Sequence, residues 1–178
     1  MRKTIALVVV VLSSVGGAGW AQEGAPKPAP EHKRLAYFAG NWDFRGEAKA
    51  SPMGPAGAIT FKETCELFEG GFALVCRTEG KSPMGPTKSH SIMSYDVDKK
   101  AYTYTAAESN LPVFTAVGQT AGETWTWTTE SKMGGKVMKT KVTIKETAPT
   151  GYEFRMEMAM DGGTFTPIME GKATKAGT

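Results

Sequence analysis

Three Gly-Gly pairs, at Gly70-Gly71, Gly134-Gly135 and Gly162-Gly163, each separate two runs of alternating apolar and polar residues. If each pair forms a two-residue turn, the residues that face one another across it are Cys65 and Cys76, Trp125 and Ile144, Trp127 and Val142, Met156 and Met169, and Met160 and Phe165. All of these are apolar, whereas a loop one residue longer would set each apolar row against a polar one. Glycine also tolerates the positive φ that such hairpin turns need. The chain is thereby constrained to an antiparallel meander with one inner face.

The alternation places strands at about residues 41–50, 58–68, 72–80, 88–95, 101–107, 113–120, 123–131, 137–146, 152–160 and 164–174. Ten strands joined by short polar or glycine-containing links predict an all-β fold. A single antiparallel up-and-down barrel leaves no exposed edge, and Glu31 to Phe38 can add a short helix before it. The inner row of Ile59, Phe61, Cys65, Leu67, Phe72, Leu74, Trp125, Trp127, Met138, Val142, Phe165 and Met169 is aromatic and methionine-rich. A barrel of this strand number is wide enough to keep space for a small molecule.

Residues 1–21 have the pattern of an export signal. Arg2 and Lys3 precede the apolar run Ile5 to Leu12, and small residues at Gly19 and Ala21 suit cleavage after Ala21. That apolar run is too short to span a bilayer and no later one is longer, so the expected product is periplasmic or secreted, without stable membrane insertion. Residues 22–30 (QEGAPKPAP) form a Pro/Ala-rich arm, and residues 31–178 the barrel domain. The formal charge of +3 loses two positives with Arg2 and Lys3 and falls to +1, which leaves no compositional case for nucleic acid. Lys139, Lys141 and Lys145 form an outer row opposite Glu153, Arg155 and Glu157, a mixed solvated face.

Cys65 and Cys76 are the two cysteines of the chain, and the Gly70-Gly71 register sets them face to face. A disulfide is expected in an oxidising compartment, with a pair of buried free thiols as the alternative. No C-x-x-C motif suggests redox catalysis.

The segment HKRLAYFAGNWDF (His32 to Phe44), in which a short helix leads into Gly40-Asn41-Trp42, is similar to the opening of lipocalin-type barrels. Together with Leu67-Phe68-Glu69-Gly70-Gly71-Phe72 and Tyr95-Asp96-x-x-Lys99-Lys100-x-Tyr102, it resembles the bacterial domain-of-unknown-function family numbered 1579, over about residues 31–174. The resemblance implies a lipocalin-like barrel with Trp42 plugging one end, and no activity to transfer. Related haem-binding barrels, the nitrobindins, take their iron ligand from a late strand. Here both histidines, His32 and His90, lie in the first half of the chain, which argues against haem ligation of that type.

The residues with chemistry are few. His90 has no partner in motif spacing, no serine sits in a G-x-S-x-G elbow, and Asp96 and Asp98 read as turn residues. No motif calls for a cofactor, and an enzyme using Glu63, His90 or Tyr104 as acid or base is the least favoured function. Glu63 is the odd member of an apolar row, turned inward by the alternation unless a bulge reverses it. The motif Ser-Pro-Met-Gly-Pro occurs at Ser51 to Pro55 and at Ser82 to Pro86, and both copies follow odd-numbered strands. Strand parity therefore gathers Met53, Met84, Met133 and Met160 at one rim, with Trp127, Met156, Met158 and Phe165 below. The expected function is an exported binding protein for a small hydrophobic or amphipathic molecule lined by these eight residues. The alternatives for the methionines are Cu(I) binding and simple gap filling.

Overall fold

The computed structural model describes residues 26–177. A short helix α1 (Pro30–Arg34) runs into a 3-10 turn (Leu35–Phe38). Ten strands follow: β1 (Gly40–Ala48), β2 (Gly57–Leu67), β3 (Ala73–Ser82), β4 (Gly85–Asp96), β5 (Ala101–Glu108), β6 (Leu111–Ala121), β7 (Thr124–Met133), β8 (Lys136–Ala148), β9 (Gly151–Met160) and β10 (Thr166–Lys175). Each pairs antiparallel with its neighbour in sequence, and β1 closes on β10, with Trp42 opposite Lys175. The expected all-β up-and-down barrel is the observed fold.

Alternation explains the wall. Along β7, Trp125 and Trp127 are buried while the intervening positions face outward, and Trp125 pairs with Ile144 and Trp127 with Val142, as the Gly134-Gly135 turn requires. Cys65 stands opposite Cys76, and the two form a disulfide. Their Cα atoms are 4.1 Å apart, close to the narrow, non-hydrogen-bonded spacing of an antiparallel pair rather than the wider hydrogen-bonded one. On the outer face Lys141 pairs with Glu157 at 2.7 Å and Lys139 with Glu130 at 3.2 Å, so these members of the lysine row are met by carboxylates. Asp96 accepts hydrogen bonds from the backbone N–H groups of Asp98 and Lys99, the work of a turn residue.

Two expectations need correction. Met156 does face Met169, but the register slips by one between Pro167 and Met169, so Met160 and Phe165 are not paired. Ile168 is the extra residue, and its carbonyl accepts from the N–H of Lys49, outside the β9–β10 ladder. Leu67 and Phe72, expected to face inward, are 43% and 37% exposed, because Leu67 belongs to the last pair of the β2–β3 ladder and Phe72 to the turn beyond it.

That end is closed. Leu35, Phe38 and Trp42 are buried, and the Trp42 indole N–H donates to the Phe38 carbonyl at 2.8 Å. Arg34 lies over the Trp125 ring and its guanidinium donates to Glu146, which also accepts from the Trp125 indole at 2.7 Å. One carboxylate thus ties the N-terminal helix, β7 and β8 together at the base of the barrel.

Candidate functional site

Above Trp42 lies a cavity of about 620 Å³, in the size range of small-molecule sites. Its existence follows from where the glycines fall. Gly118 pairs with Trp127 across β6 and β7, and Gly80 with Phe61 across β2 and β3. A Cβ on Gly118 would overlap the Trp127 ring, one on Gly80 would overlap Phe61, and one on Gly171 would overlap Phe44. These three rings therefore pack against bare backbone of the neighbouring strands. The lumen stays open because its largest side chains are drawn onto the wall.

The lining is mainly apolar, with Phe44, Phe61, Met93, Ala116, Val142 and Phe154 at mid-height. At the rim the two Ser-Pro-Met-Gly-Pro loops touch: Met84 lies over Gly54 and Pro83 over Gly57. Leu111 and Val113, next to the β5–β6 link, complete the rim, and Val113 is 68% exposed. That link also leaves an odd-numbered strand, so parity alone could have identified it.

Met53, Met84, Trp127, Met133 and Met156 line the cavity. Met158, Met160 and Phe165 do not. Met158 is buried beside Met138 and Ile168, in a cluster that Met53, Met133, Met156 and Met160 pack against. Phe165 lies on the outside of the wall with the Lys141 ammonium 5.0 Å from its ring centre, since the bulge at Ile168 reverses the facing of the residues before it. Ile168 takes its place and lines the cavity with Met169. A bulge leaves no mark on the alternation that could have warned of this.

Glu63 points inward, on an unbroken ladder between Trp42 and Thr78. Thr78 Oγ1 donates to Glu63 Oε2 at 3.4 Å, and Oε1 lies 3.0 Å from Cys65 Sγ. Burial pushes the carboxyl up to about 7, against the smaller opposing effect of the Thr78 hydrogen bond. Tyr104 and Tyr152 also line the cavity, and their phenols are raised, first by burial and next by the charge of Glu63. A hydrogen bond from Ser91 acts in the opposite direction on Tyr104. Glu63 is therefore the polar centre of an otherwise aromatic pocket floor.

Neither histidine contributes to the lining. His32 is buried in α1, where its Nδ1 accepts from Ala29 N and its ring meets Phe72 and Tyr95 edge-on, and His90 is exposed on β4. Glu63, Cys65 and Cys76 offer three donor atoms close together, but the disulfide removes both thiolates as metal ligands.

The architecture defines a lipocalin-like class of barrel, plugged at one end and hollow within. The chain belongs to the family described as Protein of unknown function (DUF1579), whose model matches residues 27–175. No curated protein matches it in sequence. Among solved structures it is similar to Rv2717c from M. tuberculosis, with 12% identity, a TM-score of 0.60, and coverage of 85% of this chain and 100% of that one. It is also similar to the S-type phycobiliprotein lyase CPES from Guillardia theta, with 8% identity, a TM-score of 0.53, and coverage of 83% and 93%. At these identities the likeness establishes the fold.

Proposed function

We propose that this protein is an exported, non-enzymatic carrier that holds one small hydrophobic or amphipathic molecule inside its barrel. The observation that carries the reading is the cavity of about 620 Å³, walled by aromatic and thioether side chains and reaching solvent beside Met84 and Val113. Apolar surface of this kind contributes about 25 cal/mol for each Å² it shares with a ligand, and among the described residues no set has the geometry of a catalytic pair. Similarity to a phycobiliprotein lyase is compatible with an occupied barrel, although that lyase's own activity is not carried over.

Export is read from the leader, which lies outside the described residues, together with the disulfide. Among the described residues no helix is long and apolar enough to cross a membrane. Protein from the exported fraction should have the intact mass of a chain beginning at Gln22. A product retaining Trp20 would show that the cleavage site is misplaced.

Binding is tested with the neutral probe N-phenyl-1-naphthylamine. Saturable fluorescence enhancement at one probe per chain is expected, abolished by Ala116→Trp, which fills the lumen from the β6 wall. A wild-type barrel that gives no enhancement refutes the reading.

A second reading is favoured by one observation: Met53, Met133, Met138, Met156, Met158 and Met160 form a single cluster with Ile168 near the rim. Six thioethers brought together suit Cu(I). Competition with a Cu(I) chelator discriminates, and affinity unchanged after Met138→Leu and Met158→Leu together excludes it.

A further inference from the structure

We infer that the cavity is selective for amphipathic organic cations, with the ligand's ammonium group seated beside Glu63 at the closed end and its apolar body extending towards the rim. The inference rests on the reading of the cavity as a ligand site and adds the chemistry of the ligand's head.

Position is the first argument. Glu63 lies between Trp42 and Thr78 on the neighbouring strands, so its carboxyl sits at the bottom of the cavity rather than at the mouth. The charged groups that share the lining are Lys49, Glu108 and Lys132. Lys49 lies just beyond the end of β1, while Glu108 and Lys132 lie at the rim ends of β5 and β7, so all three are far up the barrel from Trp42. Facing Glu63 from the packed strands are Trp42 on β1, Thr78 on β3, Tyr104 on β5 and Tyr152 on β9, with Ser91 on β4 behind Tyr104. None carries a positive charge. Among the described residues the carboxylate has one long hydrogen bond, from Thr78, and no counter-ion.

The surroundings are the second argument. An ammonium placed against Glu63 would sit among the rings of Trp42, Phe61, Tyr104 and Tyr152, whose faces attract cations. It would also supply the missing counter-charge in a site where water is largely displaced, and there an ion pair with hydrogen bonds is strongest. A fatty acid entering head-first would instead bring a second carboxylate to an uncompensated one. A neutral alcohol would gain the apolar contacts alone.

Proton linkage follows. With no ligand the carboxyl holds its proton up to about pH 7, so a cation that binds at lower pH must displace that proton into solvent. Cation affinity should therefore rise with pH up to about 7 and level off above it.

The experiment compares three ligands of equal chain length, dodecylamine, dodecanol and dodecanoate. Each is used below its micelle concentration, with displacement of N-phenyl-1-naphthylamine from the wild-type protein as the readout. The expected order at pH 8 is amine, then alcohol, then carboxylate, with the amine at least tenfold tighter than the alcohol. Between pH 6 and pH 8 the amine affinity should rise about tenfold, the change in ionised fraction across a group titrating midway, while the alcohol stays constant. Glu63→Gln should remove both the amine preference and its pH dependence and leave alcohol binding in place, which also certifies that the variant folds. Dodecanoate binding as tightly as dodecylamine, or an amine preference that survives in Glu63→Gln, overturns the inference while leaving the cavity as an apolar site. Failure of all three ligands in the wild type overturns the inference together with the carrier reading.

Discussion

Gly118 lies directly opposite Trp127 across the β6–β7 ladder, and the indole occupies the space a Cβ would need. The backbone at Gly118 is not in the left-handed region, so the requirement for glycine is the close approach of the ring and not conformation. Replacement by alanine should cost about 1–3 kcal/mol through overpacking, read as a lower midpoint in urea unfolding. It should also tilt the ring into the lumen and weaken probe binding. A variant of unchanged stability would mean that the ring does not rest on β6.

Trp42 joins the plug to the wall: its N–H reaches the Phe38 carbonyl and its ring packs 5.0 Å from that of Tyr152. Trp42→Ala should cost about 3–5 kcal/mol, the usual loss for a buried aromatic truncated to alanine. Trp42→Phe keeps most of the packing and loses the hydrogen bond, so a decrease nearer 1–2 kcal/mol is expected. Equal losses in the two variants would show that the hydrogen bond, and not the volume, secures the plug.

The Cys65–Cys76 disulfide closes a loop with a sequence separation of 11 around the β2–β3 turn. Replacing both cysteines by alanine should lower stability by about 2–3 kcal/mol. The effect should match that of reducing agent on the wild-type protein. Thermal unfolding unaffected by reduction would rule out a stabilising bridge.

Glu63 gives the barrel a pH-dependent stability of unusual sign. Below pH 4.5 folded and unfolded chains both carry the proton, and Glu63 makes no difference. Between about 4.5 and about 7 the unfolded chain ionises while the buried carboxyl does not, so stability falls as pH rises. Above about 7 the loss is complete, about 3 kcal/mol. Glu63→Gln should flatten this segment of the profile and exceed the wild type in stability at pH 8. Parallel profiles for the two proteins would place the titration elsewhere.

Much of this molecule is determined by period-two alternation together with turn chemistry, both local properties. The inner and outer faces and the pairing of Trp127 with Val142 and of Cys65 with Cys76 follow from counting residues between glycine pairs, and strand parity brings the two Ser-Pro-Met-Gly-Pro loops to one rim. The alternation left Glu63 to face inward or be turned out by a bulge, and the regular ladder turned it inward. One-sided burial makes a one-residue slip costly, so the count is reliable wherever the ladder is regular. Tertiary structure decided the rest. The bulge at Ile168 sent Phe165 outside and brought Ile168 in, and it is tied to Lys49, a residue far away in the chain that only barrel closure brings near. Closure also set Phe44, Phe61 and Trp127 onto glycines of adjacent strands, which turned an apolar inner face into a hollow one. Whether a ring fills the lumen or lies on the wall depends on what stands across the ladder, and the run of residues within a single strand does not carry that information.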